Sequence, residues 1–390
     1  MADLLAQPLD LPCGGRLKNR MIKSAMSDSL GDGAGSPTAG QIRLYERWAQ
    51  GGAALSMIGE VQITPDYPEK AGNLVLVPDA KMDELARHGQ QNGAKLWPQL
   101  GHAGALSYAP ISQPRGPSPL NIKGLRCAGM SLTDIRALPG LYARAAALAR
   151  RFGFGGVQIH AGHGFLLSQF LSPLFNHRID DYGGDVIGRF RVVGDIIAAV
   201  RDAVGPSLPI GIRINATDRL MGGLTPEEAL HVVRLLDRTS VDLIDISGGT
   251  YFPGAPASSD GVSDGAYFAE FAKQAKALTD VPIMLTGGVR TRDQAHAVLA
   301  DGAADAIGLA RAMALDPDLP RNWLRRLDGP AFPRFAETPP GGVTAWYSMR
   351  LTALGEDAED SFDMSLPEAL AAYDARDEAR CKTWRARFRP

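Results

Sequence analysis

Eight apolar segments of strand length recur along the chain, and helix-like segments separate them. The strand-like segments are 21–26, 54–63, 95–100, 156–160, 209–214, 243–247, 282–286 and 306–309. Alternation of strands and helices is typical of a parallel sheet. Eight such units with no break for a second core predict an α/β fold, the TIM (β/α)8 barrel. An open doubly wound sheet is the alternative, because a sequence pattern does not show closure.

The helix-like segments include 38–50, 141–151, 188–204 and 225–238. Thr225 before Pro226, and Thr291 three residues before Gln294, are typical residues at helix starts.

Two regions lie outside the strand–helix repeat. The proline-rich segment 108–119 follows the third strand and is expected to form an ordered loop over the barrel mouth. We predict a barrel domain over 1–336 and an extension over 337–390. The extension should contain a helix at 366–388 and pack on the barrel or on a neighbouring subunit.

Composition narrows the class of protein. The net charge of the 390 residues is only −2, which argues against a dedicated nucleic-acid surface. Cys13, Cys127 and Cys381 are far apart and form no CxxC pair, so neither a metal site nor an iron–sulfur cluster is expected. The amino terminus lacks the features of a signal peptide, and no segment has the length of a membrane span. We therefore expect a cytoplasmic protein with a small-molecule substrate and no nucleic-acid or membrane partner.

The ends of the last two strands carry glycine-containing turns. Thr286-Gly287-Gly288 follows the seventh strand, and Ala310-Arg311 follows the eighth. Loops at these places commonly bind phosphate in barrels through backbone N–H groups, and an arginine adds a charged fork. The alternative is that the glycines only form tight turns.

Other strand ends carry polar side chains that a barrel core does not favour, among them Ser24, Ser27, Gln99 and Arg213. A buried arginine needs a partner, so Arg213 implies an anionic or acceptor-rich ligand. The amide of Gln99 could pair with the edge of a heterocycle. Alternatively, Gln99 and Arg213 satisfy each other or the nearby backbone. With a phosphate site, these residues predict a planar, nucleotide-like cofactor across the mouth.

Two histidines, His160 and His163, come directly after the fourth strand, and Phe165 follows them. Metal ligation and structural hydrogen bonding are the alternatives to substrate binding. No nearby carboxylate or cysteine completes a metal set.

These residues and their order resemble the old yellow enzyme family of flavin-dependent ene-reductases, particularly its bacterial branch. The resemblance extends from Leu17-Lys18-Asn19-Arg20 to Arg311 and is most specific in the block 160–184. Gly51-Gly52 and the segment 99–104 add independent support. The resemblance implies noncovalent FMN and NAD(P)H as the reductant.

The family's site residues fall on matching positions of this sequence. Ser24, Ala25, Met26 and Ser27 would run along the flavin, with Ser27 tuning its potential. Gln99 would pair with the pyrimidine edge, and Arg213 would lie near flavin N1. The phosphate would bind at Thr286, Gly287, Gly288, Ala310 and Arg311, and the ribityl chain beside Ser247. His160 and His163 would hydrogen-bond the activating group of the substrate.

The sequence departs from the family pattern at several positions. Phe165 stands where relatives usually carry the tyrosine assigned as proton donor. A bound water, Tyr251 or Tyr347 could replace it, and water is preferred because the mouth opens to solvent. Two more departures bear on substrate choice: Ser29 stands where bacterial relatives often carry a substrate-contacting tyrosine, and Leu106 stands where some carry lysine.

Glu60 is the remaining departure, because it occupies a position where a small residue usually contacts flavin through its backbone. Here the order is Gly59-Glu60. A carboxylate near the ring would disfavour the reduced anion.

The leading hypothesis is an NAD(P)H-dependent FMN oxidoreductase, acting as a homo-oligomer (a dimer or tetramer), that reduces activated alkenes by ping-pong hydride transfer. A relative with an added iron–sulfur domain is disfavoured by the scattered cysteines. The third hypothesis is a protein that binds FMN and ligands without efficient alkene reduction.

Overall fold

A computed structural model describes residues 3–122, 124–253, 255, 265–336 and 338–389. Eight parallel strands in this part of the chain form the barrel wall. They are β1 Met21–Lys23, β2 Leu55–Gln62, β3 Lys95–Gly101, β4 Val157–Ala161, β5 Ile210–Asn215, β6 Leu243–Ser247, β7 Ile283–Thr286 and β8 Ala306–Leu309.

The barrel is closed. Each strand pairs with its successor in sequence, and β8 returns to β1 with Ile307 opposite Met21. The pairing of Ile22 with Leu55 joins β1 to β2 and completes the ring. The predicted TIM barrel is therefore confirmed, and the open sheet was wrong.

Helices surround the barrel and follow the strands along the chain. They are α1 Ala39–Gln50, α2 Asp83–His88, α3 Leu132–Arg151, α4 Leu166–Leu171, α5 Val186–Val204, α6 Pro226–Leu236, α7 Ala269–Lys276, α8 Arg292–Ala300, α9 Arg311–Leu315, α10 Leu319–Leu324, α11 Gly342–Gly355 and α12 Leu366–Phe388. Thr225 and Thr291 form capping boxes at the starts of α6 and α8, as predicted. The α3 helix begins earlier than expected because Ser131 caps it together with Asp134. None of the described helices is long and apolar enough to cross a bilayer.

Short strands that the sequence pattern did not predict cover the two ends of the barrel. An antiparallel hairpin, Leu9–Asp10 with Arg16–Leu17, packs its leucines against the first residues of the barrel strands, such as Leu55 and Leu243. This hairpin closes the amino-terminal end, which leaves the carboxyl end for chemistry. The segment 108–119 leads into a small sheet in which Arg115–Gly116 pairs with Leu125–Gly129.

The last helix, α12, lies on loops of its own barrel. Arg380 Nη1 donates to the carbonyl oxygen of Ser29 at 2.5 Å, and Lys70 Nζ is 3.3 Å from Asp377 Oδ2. The Trp384 ring is buried in the same contact. The loops that follow β1 and β2 are therefore covered by α12.

Candidate active site

A network of buried polar side chains crosses the barrel with Asp245 of β6 at its centre. Asp245 Oδ2 accepts from Arg213 Nε at 2.6 Å and from Gln158 Nε2 at 3.1 Å. Asp245 Oδ1 accepts from Thr286 Oγ1 at 2.7 Å, and Gln158 Oε1 accepts from Gln99 Nε2 at 2.7 Å. The fold therefore brings together Gln99, Arg213 and Thr286, which come from three separate strands.

The chain itself supplies an anionic partner for the buried Arg213, so its burial alone does not require a ligand; its place near flavin N1 stays a prediction. Arg213 and Asp245 are opposite each other on β5 and β6. Gln99 and Arg213 do not bond each other directly, because Gln158 and Asp245 lie between them, but Arg213 does bond the nearby backbone, which was part of the same alternative. Arg213 Nη1 donates to the carbonyl oxygen of Ala25 at 3.3 Å, and Nη2 donates to Ser24 Oγ. The guanidinium thus holds the segment that follows β1.

The histidine pair lies at the carboxyl end of β4, beside this network. His160 Nε2 is 3.2 Å from His163 Nδ1, and His163 Nε2 is 3.0 Å from Ser247 Oγ. His163 has a left-handed backbone conformation with φ of 59°, held where its N–H donates to Asn215 Oδ1 at 2.9 Å. Burial lowers the pKa of His160 to about 3, and Arg213 adds to this effect; burial also lowers the pKa of His163. Both rings are therefore neutral at pH 7.

Glu60 directs its carboxylate at the histidine pair. Gly59 pairs with Ser27 in a β-bridge, so it is Gly59 that packs against the segment following β1. The Glu60 carboxyl group hydrogen-bonds to His160 Nδ1 and accepts from Gln62 Nε2 at 3.1 Å. Burial raises the pKa of Glu60 to about 8.

The aromatic side chains considered as proton donors lie in different places. Phe165 is buried, and its ring centroid is 5.1 Å from that of His160. Tyr251 is 5.8 Å from Phe165 and is 61% exposed. Tyr347 lies under the guanidinium of Arg311, 5.0 Å from it, and is buried. Of the two tyrosines, Tyr251 is the one in contact with Phe165.

The turn after β7 consists of two glycines, and at the second of them there is no room for a side chain. Gly287 and Gly288 have φ of 127° and 82°, a region that favours glycine. A Cβ at Gly288 would lie 1.9 Å from the carbonyl oxygen of Gly265. Ala310 precedes Arg311, the first residue of α9. Bare backbone at the ends of β7 and β8 fits an anion such as phosphate.

The segment that follows β1 meets a second carboxylate that the sequence analysis missed. Ser27 Oγ donates to Glu69 Oε2 at 2.9 Å. Burial, together with the nearby charge of Glu60, raises the pKa of Glu69 to about 7. Ser29 is buried against Asp377 of α12.

Leu106, the other substituted position, packs on the edge of a cluster that contains Leu120 and Cys127.

Comparisons with known proteins agree with this geometry. The model of the NADH:flavin oxidoreductase / NADH oxidase family matches residues 5–327. The NADH-dependent flavin oxidoreductase iliE of Hypocrea jecorina is 34% identical over 361 residues, which cover 82% of this chain and 89% of that protein. An NADPH dehydrogenase of Bacillus licheniformis is 30% identical, with 81% and 92% of the two chains covered. The chain spans about half the length of several other curated relatives.

The fold also resembles the folds of solved structures. The old yellow enzyme homologue from Zymomonas mobilis superposes with a TM-score of 0.73 at 23% identity, covering 86% of this chain and 98% of that one. The family match extends over most of the barrel and carries noncovalent FMN and a nicotinamide reductant with it. The chain therefore belongs to the old yellow enzyme family and is an NAD(P)H-dependent FMN oxidoreductase.

Proposed function

We propose that the chain reduces activated alkenes, such as α,β-unsaturated carbonyl or nitro compounds, by ping-pong hydride transfer. One observation carries the proposal: His160 and His163 are adjacent at the carboxyl end of β4, with His160 buried, His163 half-buried and the pKa of both imidazoles lowered by desolvation. Neutral imidazoles can donate N–H groups to a substrate oxygen without placing a cation beside it. Such donors polarise the double bond and stabilise the charge that develops on the oxygen.

The residues of the mouth fit FMN. The bare backbone at Thr286 to Gly288 and at Ala310, together with Arg311, would hold the phosphate. Gln99 would meet the pyrimidine edge, Arg213 the N1 side, and Ser24 to Ser27 the ring; Ser247 would lie along the ribityl chain. Bound FMN supplies hydride chemistry between NAD(P)H and the substrate. Arg213 is held in place for this role by Asp245 and by Ser24.

The geometry defines what the histidines must do when a substrate enters. In the structure His160 Nε2 faces His163, so the oxygen of a substrate would replace that contact. Ser247 Oγ hydrogen-bonds to His163 Nε2, and the bond from the His163 backbone N–H to Asn215 Oδ1 holds its backbone in place. Phe165 has no proton to donate, so it would only shape the pocket.

Alkene-dependent oxidation of NADH or NADPH, with 2-cyclohexenone as the alkene, tests the proposal. We expect FMN in the purified protein and turnover with the enone. His163→Ala should lower turnover by about 10² to 10³ through loss of one donor. His177→Ala, at an exposed histidine, is the control and should not change it. Protein that carries and accepts no FMN would overturn the proposal.

The second candidate is a protein that binds FMN and ligands without efficient alkene reduction. Phe165 favours it, since the usual acid is absent at this position. This candidate predicts that a para-substituted phenol changes the flavin spectrum with a long-wavelength band, while no alkene accelerates NAD(P)H oxidation. Turnover with any activated alkene would exclude it.

Assembly and location complete the proposal. The free thiols of Cys13, Cys127 and Cys381 fit a reducing cytoplasm. We place the domain boundary at 336/337 and propose a homo-oligomer, a dimer or tetramer. Light scattering after gel filtration gives the mass that decides between these states and a monomer.

A further inference from the structure

Glu60 of β2 is a buried carboxyl group in contact with the substrate-binding histidines. Its side chain is 4% exposed and its carboxyl group bonds to His160 Nδ1. A Cβ at Gly101 on the neighbouring strand β3 would lie 2.3 Å from Glu60 Oε2, so that glycine makes the space for the carboxyl group. Gln62 Nε2 donates to the same oxygen at 3.1 Å. The carboxyl group is thus fixed between three strands.

The hydrogen bonds that begin at Glu60 form a series in which each group donates to the next. If the carboxyl O–H donates to His160 Nδ1, then His160 carries its own proton on Nε2. That N–H points to His163 Nδ1 at 3.2 Å, and His163 Nε2–H then donates to Ser247 Oγ at 3.0 Å. In this arrangement both histidines carry the proton on Nε2 while no substrate is bound. The series ends at Ser247; a substrate oxygen would enter it between the two histidines and accept from His160 Nε2–H, and the His163 ring must turn to donate its Nε2–H to the same oxygen.

Burial keeps the proton on the carboxyl group against two neighbours that favour ionisation. The hydrogen bond from Gln62 and the charge of Arg213 both lower the pKa of Glu60, and the ion pair with Asp245 offsets part of the Arg213 charge. Glu69, in the loop after β2, is a second carboxylate and opposes ionisation of Glu60. Among the described residues, Tyr142 of α3 and Tyr251 after β6 are further titratable groups whose pKa the charge of Glu60 would raise. Burial then dominates, and the pKa of Glu60 rises to about 8 while that of His160 falls to about 3.

We propose that Glu60 is the proton source for alkene reduction in this protein and delivers its proton through His160 to the substrate oxygen. This inference rests on the proposed function. Because Phe165 cannot donate a proton, the proposal assigns proton donation to Glu60, which bonds to His160 Nδ1. Glu60 acts through His160 and need not touch the substrate.

The step balances in atoms and charge. Hydride adds to the β-carbon, the alkene π electrons shift, and the carbonyl oxygen gains negative charge. The Nε2–H bond of His160 breaks as an O–H bond forms on that oxygen, which gives the enol. The O–H bond of Glu60 breaks as Nδ1–H forms, so His160 stays neutral and Glu60 becomes a carboxylate. The enol then tautomerises to the saturated carbonyl compound.

Solvent restores the starting state after product release. Water protonates Nε2 of His160, and the proton on Nδ1 returns to Glu60. One hydride and one proton are therefore consumed per turnover, and no further oxidant or reductant is needed.

Glu60→Gln in the FMN-loaded enzyme tests the relay because the amide keeps a donor for His160 Nδ1 but transfers no proton. In stopped-flow measurements, oxidation of the reduced enzyme by 2-cyclohexenone should slow by about 10² or more. In the wild type the rate of this oxidation should decline above pH 8, and in Glu60→Gln that decline should be absent. The rates of reduction by NADH or NADPH and of reoxidation by oxygen are measured as references, and the enone rate should fall relative to both, because only the enone step takes up the Glu60 proton. Equal enone rates in the variant and the wild type would overturn the proposal.

His160→Asn is the second variant, since it keeps an amide donor for the substrate but breaks the path from Glu60. It should lose the same pH dependence as Glu60→Gln. Retention of the wild-type pH profile would overturn the relay.

Infrared difference spectra of the FMN-loaded enzyme between pH 6 and 9 give a readout without turnover. As the pH rises from 6 to 9, the wild type should lose the infrared band of a protonated carboxyl group, and Glu60→Gln should lack this band. If the wild type shows no such band at pH 6, the proposal is contradicted. A wild-type enzyme that shows the band but reduces no alkene would instead mean that the proposed function has failed.

Discussion

Arg213 and Asp245 form an ion pair in the centre of the barrel, with Nε 2.6 Å from Oδ2 and both side chains almost fully buried. The pair joins β5 to β6 and also positions Ser24 and Thr286. Because neither charge reaches water, each depends on the other for compensation. The pair therefore fixes the positions of residues at the barrel mouth, where FMN would bind.

Asp245→Asn should destabilise the protein strongly. The variant leaves Arg213 buried without its counter-charge and brings an amide N–H towards other donors. We expect a loss of about 3 to 5 kcal/mol in the free energy of unfolding, measured by urea denaturation of the FMN-free protein. The control is Asp10→Asn, which removes the surface pair with Arg16 and should cost less than about 1 kcal/mol. Equal losses in the two variants would show that burial of the pair is unimportant.

The sequence predicted the barrel well because strand–helix alternation is a local signal. All eight strands were placed within a few residues, and closure followed from their number. The side chains that hydrogen-bond to each other across the barrel were harder to predict from the sequence, because such pairs depend on the register between strands far apart in sequence. An aspartate within the apolar run Leu243–Ser247 was a usable signal for Asp245. The direction of the Glu60 carboxylate had no such signal, since it depends on the side chain's rotamer and on the space at Gly101.

Gly288→Ala should weaken FMN binding. The substitution places a Cβ 1.9 Å from the carbonyl oxygen of Gly265 at a left-handed φ of 82°, so the turn must move. We expect the dissociation constant of FMN, measured by fluorescence titration of the FMN-free protein, to rise by about tenfold or more, since 1.4 kcal/mol is tenfold.

Gly302→Ala is the matched control for this turn. Its φ is 65°, but an added Cβ meets nothing within 4 Å. The backbone penalty of about 1 to 2 kcal/mol should then appear in stability alone. An unchanged FMN affinity in Gly288→Ala would mean that this turn does not hold the phosphate.

Phe165→Tyr separates the two possible proton routes. If Glu60 already delivers the proton, the added hydroxyl should change enone reduction by the wild type less than about threefold. In the Glu60→Gln background it should restore part of the lost rate, because general acid catalysis is worth about 10² to 10⁴. The measurement is the enone-dependent reoxidation rate of the four proteins. A gain of 10² in the wild type would show that proton delivery limits turnover and that Glu60 does not supply it.

Glu60 should also couple stability to pH. Burial raises its pKa from 4.5 to about 8, so the folded protein binds one more proton than the unfolded chain between these values. The stabilisation is complete below pH 4.5 and is lost as the pH rises through 8. Glu60 should contribute a fall in the free energy of unfolding of the FMN-free protein of up to about 1.4 kcal/mol per pH unit in this window. Because Glu69 and the two histidines add their own pH dependence, the test is the free energy of the wild type minus that of Glu60→Gln, which should fall as the pH rises from 4.5 to 8.

Urea denaturation at pH 5, 6.5 and 8 measures this difference, and Glu84→Gln, at an exposed position on α2, should keep the pH dependence of the wild type. An ionised Glu60 paired with a cationic His160 predicts a different result. In that case the folded-state pKa of Glu60 would be depressed, and the contribution of Glu60 to the free energy of unfolding would grow as the pH rises through the range in which carboxyl groups titrate. Stability that increases with pH up to neutrality, and does so less in Glu60→Gln, would therefore place the proton on His160 and leave Glu60 without one to deliver.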